Sequence, residues 1–397
     1  MAQAIDALAD LVGAEAARRI VEFRRDMHQH PEIGMDTARA ADKIEAFLQT
    51  LPVEQVHRFA GNGVCAVIRG KKDGPMIGLR ADTDALPIQE ETSVAWKSAI
   101  DKCAHLCGHD GHTAGLLAAA TLLAQTRDFA GSVVLIFQPG EEGWAGADKM
   151  IKDGLFERYP CREVFAIHGA PSRPLGTIAV REGAMTASVD IAYMTVAGRG
   201  GHGARPQETI DPMPAAAELI LALQTIVARN INPADSAVVS CCFVQAGDPL
   251  APTVIPQRVN LSATIRTHSP KVRDKIEARF NEITQGIGTV FGGEVKLDYQ
   301  RRYPPQINDP ALVRAILPAL QSVYGEAGVD TKFAPSMGGE DFAFMSEKVP
   351  GVYMQVGLGD EGHTAQLHNP GFDFNDLGLA YAARTFAAIV QERLPLN

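Results

Sequence analysis

The sequence predicts an α/β protein: a layered domain in two pieces, with a smaller α+β domain inserted between them. Three observations predict it. Short apolar runs alternate with helical patterns from about residue 53 to residue 180. The order then becomes β-α-β-β-α-β up to about residue 300. The helix and strand alternation resumes from about residue 303 to the end of the chain, and alternation of this kind marks a layered sheet.

Residues 1–50 read as helices broken at His30-Pro31, since proline cannot continue a helix from within. Residues 64–68 (VCAVI) and 76–81 (MIGLRA) read as strands. The stretch 113–125 (TAGLLAAATLLAQ) reads as an apolar helix, and 132–138 (SVVLIFQ) as a buried strand. A helix over 148–153 and a strand over 163–167 follow. In the inserted region 188–197 is a strand, and Asp211-Pro212 opens a helix to Arg229 as N-cap and first helical residue. Strands at 236–245 and 257–267, a helix opened by Ser269-Pro270, and a strand at 294–299 complete a ferredoxin-like order. A helix at 311–324, a strand at 352–356 and a helix at 378–393 close the chain. The expected domains are 1–186 and 301–397 for the outer one and 187–300 for the insert.

Of 397 residues, 46% are hydrophobic and 21% charged, enough for a large core. A net charge of −10 argues against nucleic acid and anionic membranes as partners. Six cysteines are too few for a disulfide framework, and the first twenty residues lack the pattern of a signal peptide. No apolar run reaches the length of a membrane span, so the cytoplasm is the expected compartment.

The chemistry gathers at strand ends. The run Cys103-Ala-His105-Leu-Cys107-Gly-His109-Asp110-Gly-His112 offers thiolate and imidazole, the usual ligands of zinc and related metals. The strand at 76–81 ends in Asp82-Thr-Asp84, the strand at 132–138 in Pro139-Gly-Glu141-Glu142, and the strand at 163–167 in His168. In open α/β sheets ligands bind at that edge. Neighbouring side chains of an extended loop diverge, so one of Glu141 and Glu142 can hold a metal while the other takes a proton from water. In the insert, Gly198-Arg-Gly-Gly-His202-Gly presents one histidine on a glycine-rich turn, without the strand and helix context of a dinucleotide fingerprint.

Taken together, the chain resembles the M20 metallopeptidase family, in its aminoacylase-like amidohydrolase branch of hippurate hydrolases, N-acyl-amino-acid amidohydrolases and auxin-conjugate hydrolases. The matching stretches are Arg25-Asp-Met-His-Gln-His-Pro-Glu32, Arg80-Ala-Asp-Thr-Asp-Ala-Leu-Pro-Ile-Gln-Glu90 and His105-Leu-Cys-Gly-His-Asp-Gly-His-Thr113. Phe137-Gln-Pro-Gly-Glu-Glu-Gly143, Gly200-Gly-His-Gly-Ala204, Gly339-Glu-Asp-Phe342 and Leu367-His-Asn-Pro370 follow in family order. The resemblance implies a mixed-sheet, zinc-peptidase-like catalytic domain with a ferredoxin-like insert that serves as lid and homodimer interface. It implies two divalent metals, Zn or Mn first and Ni or Co as alternatives, on Cys107, His109, Glu142, His168 and His368. Glu141 is then the general base and Asp84 the carboxylate that orients a ligand histidine. His202 is then the residue that polarises the scissile carbonyl, in its own or the partner subunit. Apart from the resemblance, Arg266 is expected either to pair with the substrate carboxylate in a bidentate fork or to form a surface ion pair. The implied reaction is hydrolysis of an N-acyl or N-aroyl amino acid to a carboxylic acid and a free amino acid. The alternatives are a dipeptidase or aminopeptidase, a hydrolase that deaminates an aromatic amine, and a non-catalytic metal or ligand carrier.

Overall fold

A computed structural model describes residues 2–396. The chain opens with three helices, α1 (Ala2–Val12), α2 (Ala14–Gln29) and α3 (Ala38–Leu48). Strands β1 (Glu54–Phe59), β2 (Gly63–Arg69) and β3 (Lys72–Asp82) lead into α4 (His109–Thr126). Next come β4 (Ala130–Gln138), α5 (Gly146–Lys152), β5 (Glu163–Pro174) and the two-residue β6 (Ile178–Ala179). The middle of the chain forms β7 (Val189–Ala197), α6 (Pro212–Thr225), β8 (Ala237–Ala246), β9 (Arg258–Thr267), α7 (Pro270–Phe291) and β10 (Glu294–Tyr303). It ends with α8 (Pro310–Tyr324), β11 (Val329–Asp330), β12 (Gly351–Gly359) and α9 (Gly378–Arg393).

Two compact units result. The first takes everything up to Gly183, Ile307–Ala334, and Asp341 onwards. The second takes Ala184–Gln306 and the short stretch Pro335–Glu340, which the sequence reading leaves in the outer domain.

The first unit is built on a mixed eight-stranded sheet in the order β1-β2-β4-β3-β5-β12-β6-β11. Its centre is parallel: β3 pairs with β4 and β5, and β5 with β12, all in the same direction. Buried strands of this kind need apolar residues on both faces. Accordingly, every described residue of β2 from Gly63 to Ile68 and of β4 from Gly131 to Gln138 is buried. Helix α4 packs against β3 on one side and against α2 and α9 on another. This explains its near-complete burial and its Ala-rich, weakly amphipathic sequence. Strand β1 was not expected from the sequence. From Glu54 to Arg58 its residues are exposed or half-buried and mostly polar, as suits an edge strand, and only Phe59 at its end is buried.

The second unit carries an antiparallel sheet in the order β8-β9-β7-β10. Helices α6 and α7 pack on it around a core of Leu219, Leu223, Ile265, Ile276 and Phe280. Both helices start where the sequence places their caps. Asp211 accepts a hydrogen bond from Met213 N–H at 2.9 Å and Ser269 one from Val272 N–H at 3.4 Å.

One difference positions the site. The apolar pattern predicts the helix after the Cys/His run from residue 113. Helix α4 begins at His109, after a turn at Gly108 whose φ of 84° favours glycine. His109 and His112 are therefore one turn apart on a helix, with their rings 5.4 Å from centroid to centroid. Polar residues in a first turn carry no apolar periodicity, so the pattern misses them.

Candidate metal centre

Strands β3 and β4 run side by side with Arg80 opposite Ile136 and Asp82 opposite Gln138. Their last residues hand over directly to Asp84 and to the Glu141-Glu142 loop, at the same sheet edge. His168 lies within β5, next to Gln355 of β12. The Cys107-Gly108-His109 turn comes in at the start of α4. His368 arrives on a loop. It adopts a positive φ of 63°, a costly conformation for a residue other than glycine, and its N–H donates to Leu106 O at 2.7 Å. That bond ties the His368 loop to the residue before Cys107.

Three overlapping sets of ligand atoms lie within 4.8 Å of one another: Asp82, His109, His112 and His168; Cys107, Glu142 and His368; and His109, Glu141 and Glu142. The five residues expected as ligands thus fall in one cluster. Asp82 and His112 join it without having been assigned a role from the sequence.

Hydrogen bonds sort these candidates. His112 Nδ1 donates to Asp82 Oδ1 at 2.6 Å, while its Nε2 accepts the Gly169 N–H at 2.7 Å. The other oxygen of Asp82 takes Arg80 Nη1 at 2.8 Å. Both side chains are therefore engaged with protein partners. His109 is different. Its Nδ1 donates to the main-chain oxygen of Asp84 at 2.8 Å, and its buried Nε2 has no hydrogen-bond partner. Glu142 Oε1 is likewise buried without one, 3.3 Å from His368 Nε2. His168 donates from Nδ1 to Gly169 O at 2.8 Å and turns Nε2 toward Cys107 Sγ at 3.4 Å. Buried polar atoms without a partner cost stability unless something fills the space between them. Imidazole nitrogens, a sulfur and a carboxylate facing each other in this way fit divalent metal ions.

Electrostatics agree with that fit. Burial works against a charge on His109, yet Asp82 and Cys107 outweigh it and hold its pKa well above the ordinary range. The Cys107 sulfur and, 3.3 Å away, the Glu142 carboxylate push His368 up to about 10. Burial keeps His168 well below its usual value, so it is a neutral imidazole ready to donate a lone pair. Burial also pushes the Cys107 thiol up, against the pull of His109. The cluster thus favours positive charge, and metal binding exchanges protons for cations.

The carboxylate of Asp84 lies 3.6 Å from His109 Nδ1. It accepts the N–H groups of Glu141 and Glu142 at 2.9 and 3.1 Å and so fixes the loop that carries both. Glu141 is itself buried. In the second unit, His202 is exposed in a short pairing of Gly201–His202 with Val254–Ile255, and its Nδ1 accepts the Ala204 N–H at 3.0 Å. Arg266 lies half-buried on β9 opposite Val238 and donates to Ile265 O at 3.0 Å.

Comparison with known proteins gives a consistent picture. The family model for peptidase family M20/M25/M40 matches residues 78–392. The chain is 37% identical over 374 residues to an N-acetylcysteine deacetylase of Bacillus subtilis, covering 94% of this chain and 96% of that protein. It is 36% identical over 373 residues to a hippurate hydrolase of Campylobacter jejuni, covering 94% and 96%. Among solved structures it resembles the Bacillus subtilis YXEP protein, a dinuclear metal-binding peptidase from the M20 family. The TM-score there is 0.82 at 34% identity, with 95% of this chain and 98% of that chain covered.

Proposed function

The chain belongs to peptidase family M20/M25/M40, and from that premise we propose that it is a metal-dependent amidohydrolase that splits N-acyl or N-aroyl amino acids into a carboxylic acid and a free amino acid. The observation that carries this reading is the buried set of Cys107, His109, Glu142, His168 and His368, with His109 Nε2 and Glu142 Oε1 left without hydrogen-bond partners beside Glu141. These five residues would hold two divalent ions, Zn or Mn first and Ni or Co as alternatives. The ions supply an acidified water and an electrophile for the carbonyl.

The chain's own residues do the rest. Glu141, whose carboxylate lies within 4.8 Å of His109 and Glu142 ligand atoms, takes the proton of the attacking water and passes it to the leaving amine nitrogen. Asp84 holds Glu141 in place through its N–H. His202 donates to the carbonyl oxygen as negative charge develops on it, and Arg266 pairs with the substrate carboxylate. Residues 1–186 and 301–397 form the catalytic domain, and residues 187–300 serve as lid and homodimer interface. The expected setting is the cytoplasm. Among the described residues, no helix is long and apolar enough to cross a membrane.

The test is a panel of N-acetyl, N-benzoyl and indole-acetyl amino acids with Zn and Mn supplied separately, run with the wild type and with Glu141→Gln. The expected result is release of free amino acid by the wild type and a loss of about a thousandfold in Glu141→Gln at unchanged metal content. A Glu141→Gln protein with full activity would refute the assigned base. A metal-loaded wild type that cleaves no member of the panel would refute the function.

A further inference from the structure

The Glu141-Glu142 loop is held in its middle by Asp84, and its two ends are held by a residue far away in sequence. Asp341 is fully buried, and its carboxylate accepts Gln138 Nε2 at 2.9 Å from each oxygen, 203 residues apart in the chain. It also accepts the Ala147 N–H at 2.9 Å and Arg80 Nη2 at 3.0 Å. Gln138 is the last residue of β4 and Ala147 the second of α5, so one carboxylate ties together both ends of the loop between them. Arg80 completes the frame. Its Nε donates to Gln138 Oε1 and its Nη1 to Asp82 Oδ2, both at 2.8 Å.

The neck of this loop is very narrow. The Gly146 N–H donates to Gly140 O at 3.0 Å, and a Cβ on Gly146 would fall 1.6 Å from Pro139 O. No side chain fits there, so the neck has no slack to absorb a shift at either end. A carboxylate oxygen of Asp341 also lies within 4.8 Å of one on Glu141. Buried carboxylates need cationic partners, and the buried Arg80 guanidinium pairs with Asp341 at 3.0 Å.

Resting on the functional reading above, we infer that Asp341, paired with Arg80, is a positioning residue that sets where Glu141 and Glu142 stand at the metal centre. It acts by closing the loop neck through Gln138 and Ala147. A catalytic group displaced by about 1 Å can lose about a hundredfold in rate, so the neck is a sensitive place to intervene.

The experiment compares wild type, Asp341→Asn and Gln138→Met for kcat, KM and bound metal, and records the visible spectrum of the Co(II)-loaded proteins. Asparagine keeps the size of Asp341 but turns a donor toward Gln138 Nε2 or the Ala147 N–H and removes one of the two counter-charges of Arg80, leaving Asp82. Gln138→Met leaves the Asp341 and Arg80 pair intact while cutting the tie to β4. The expected result in each folded variant is a kcat lowered roughly tenfold to hundredfold, a KM within about threefold, and shifted Co(II) bands because Glu142 has moved. Should Asp341→Asn fail to fold, Gln138→Met decides alone. A folded variant with kcat within about twofold of wild type overturns the inference, because a purely structural strut would lower stability and leave turnover intact. If the wild type hydrolyses no substrate, the functional reading fails separately. The Co(II) spectrum then decides: shifted bands support the positioning role of Asp341, and bands identical to wild type overturn it.

Discussion

Replacing His28 with glutamine will remove a pH-dependent part of the stability. His28 lies on α2, fully buried, with Nδ1 2.9 Å from Asp110 Oδ2 and Nε2 3.4 Å from Glu90 Oε1. Burial works to lower its pKa, and Arg24 adds to that. Asp110, through its charge and its hydrogen bond, and the Glu90 carboxylate outweigh both, and the pKa rises from 6.5 to about 9. Such a rise corresponds to about 3 kcal/mol of folding stability. Because the folded-state pKa is raised, this contribution is fully present below pH 6.5 and is lost as the pH climbs through about 9. Asp110 keeps Arg24 as a partner at 3.2 Å, so the variant retains a counter-ion and folds. The assay is urea unfolding of chelator-treated wild type and His28→Gln at several values between pH 6 and pH 10. Groups common to both proteins cancel in the difference. Wild type should exceed the variant by about 3 kcal/mol at pH 6, narrowing to under about 1 kcal/mol at pH 10. A difference that stays constant over that range would refute the assignment of a charged His28.

Two further outcomes follow from the same structure. Arg24→Met removes the buried cation that faces Asp110, Asp373 and Asp376, and denaturant unfolding should show a loss of about 3–5 kcal/mol; a loss under about 1 kcal/mol would mean the network is not held by that charge. Cys107→Ser replaces the sulfur of the cluster with a hydroxyl that stays protonated at neutral pH, and chelator competition should show metal affinity reduced about tenfold or more; an unchanged affinity would exclude Cys107 as a ligand.

Much of the site can be read in the sequence, because chemistry that must face a ligand sits where strands end. Glu141, Glu142 and His168 announce themselves by following or closing apolar runs, and Cys107 and His109 by residue type and spacing. The supporting residues are less visible. Asp82 and His112 stand in the same motifs but resemble ligands in composition. Only their hydrogen bonds to each other, to Arg80 and to Gly169 show that their lone pairs and protons are already engaged. Asp84 reads in the sequence as a histidine partner; in the structure its carboxylate lies 3.6 Å from His109 Nδ1 and also accepts two backbone N–H groups, while its carbonyl takes His109.

The sequence by itself determined the layered α/β character, the β-α-β-β-α-β insert, the capped helix starts and the residue types of the metal cluster. Each of these depends on local periodicity or on chemistry carried by a short run of residues. The tertiary structure decided which side chains are free to bind and which are engaged. It also decided that His109 opens a helix rather than closing a loop, and that Asp341 reaches back to frame Glu141. Those outcomes depend on contacts between residues far apart in the chain, where burial turns each unpaired donor or acceptor into a cost that a neighbour must meet.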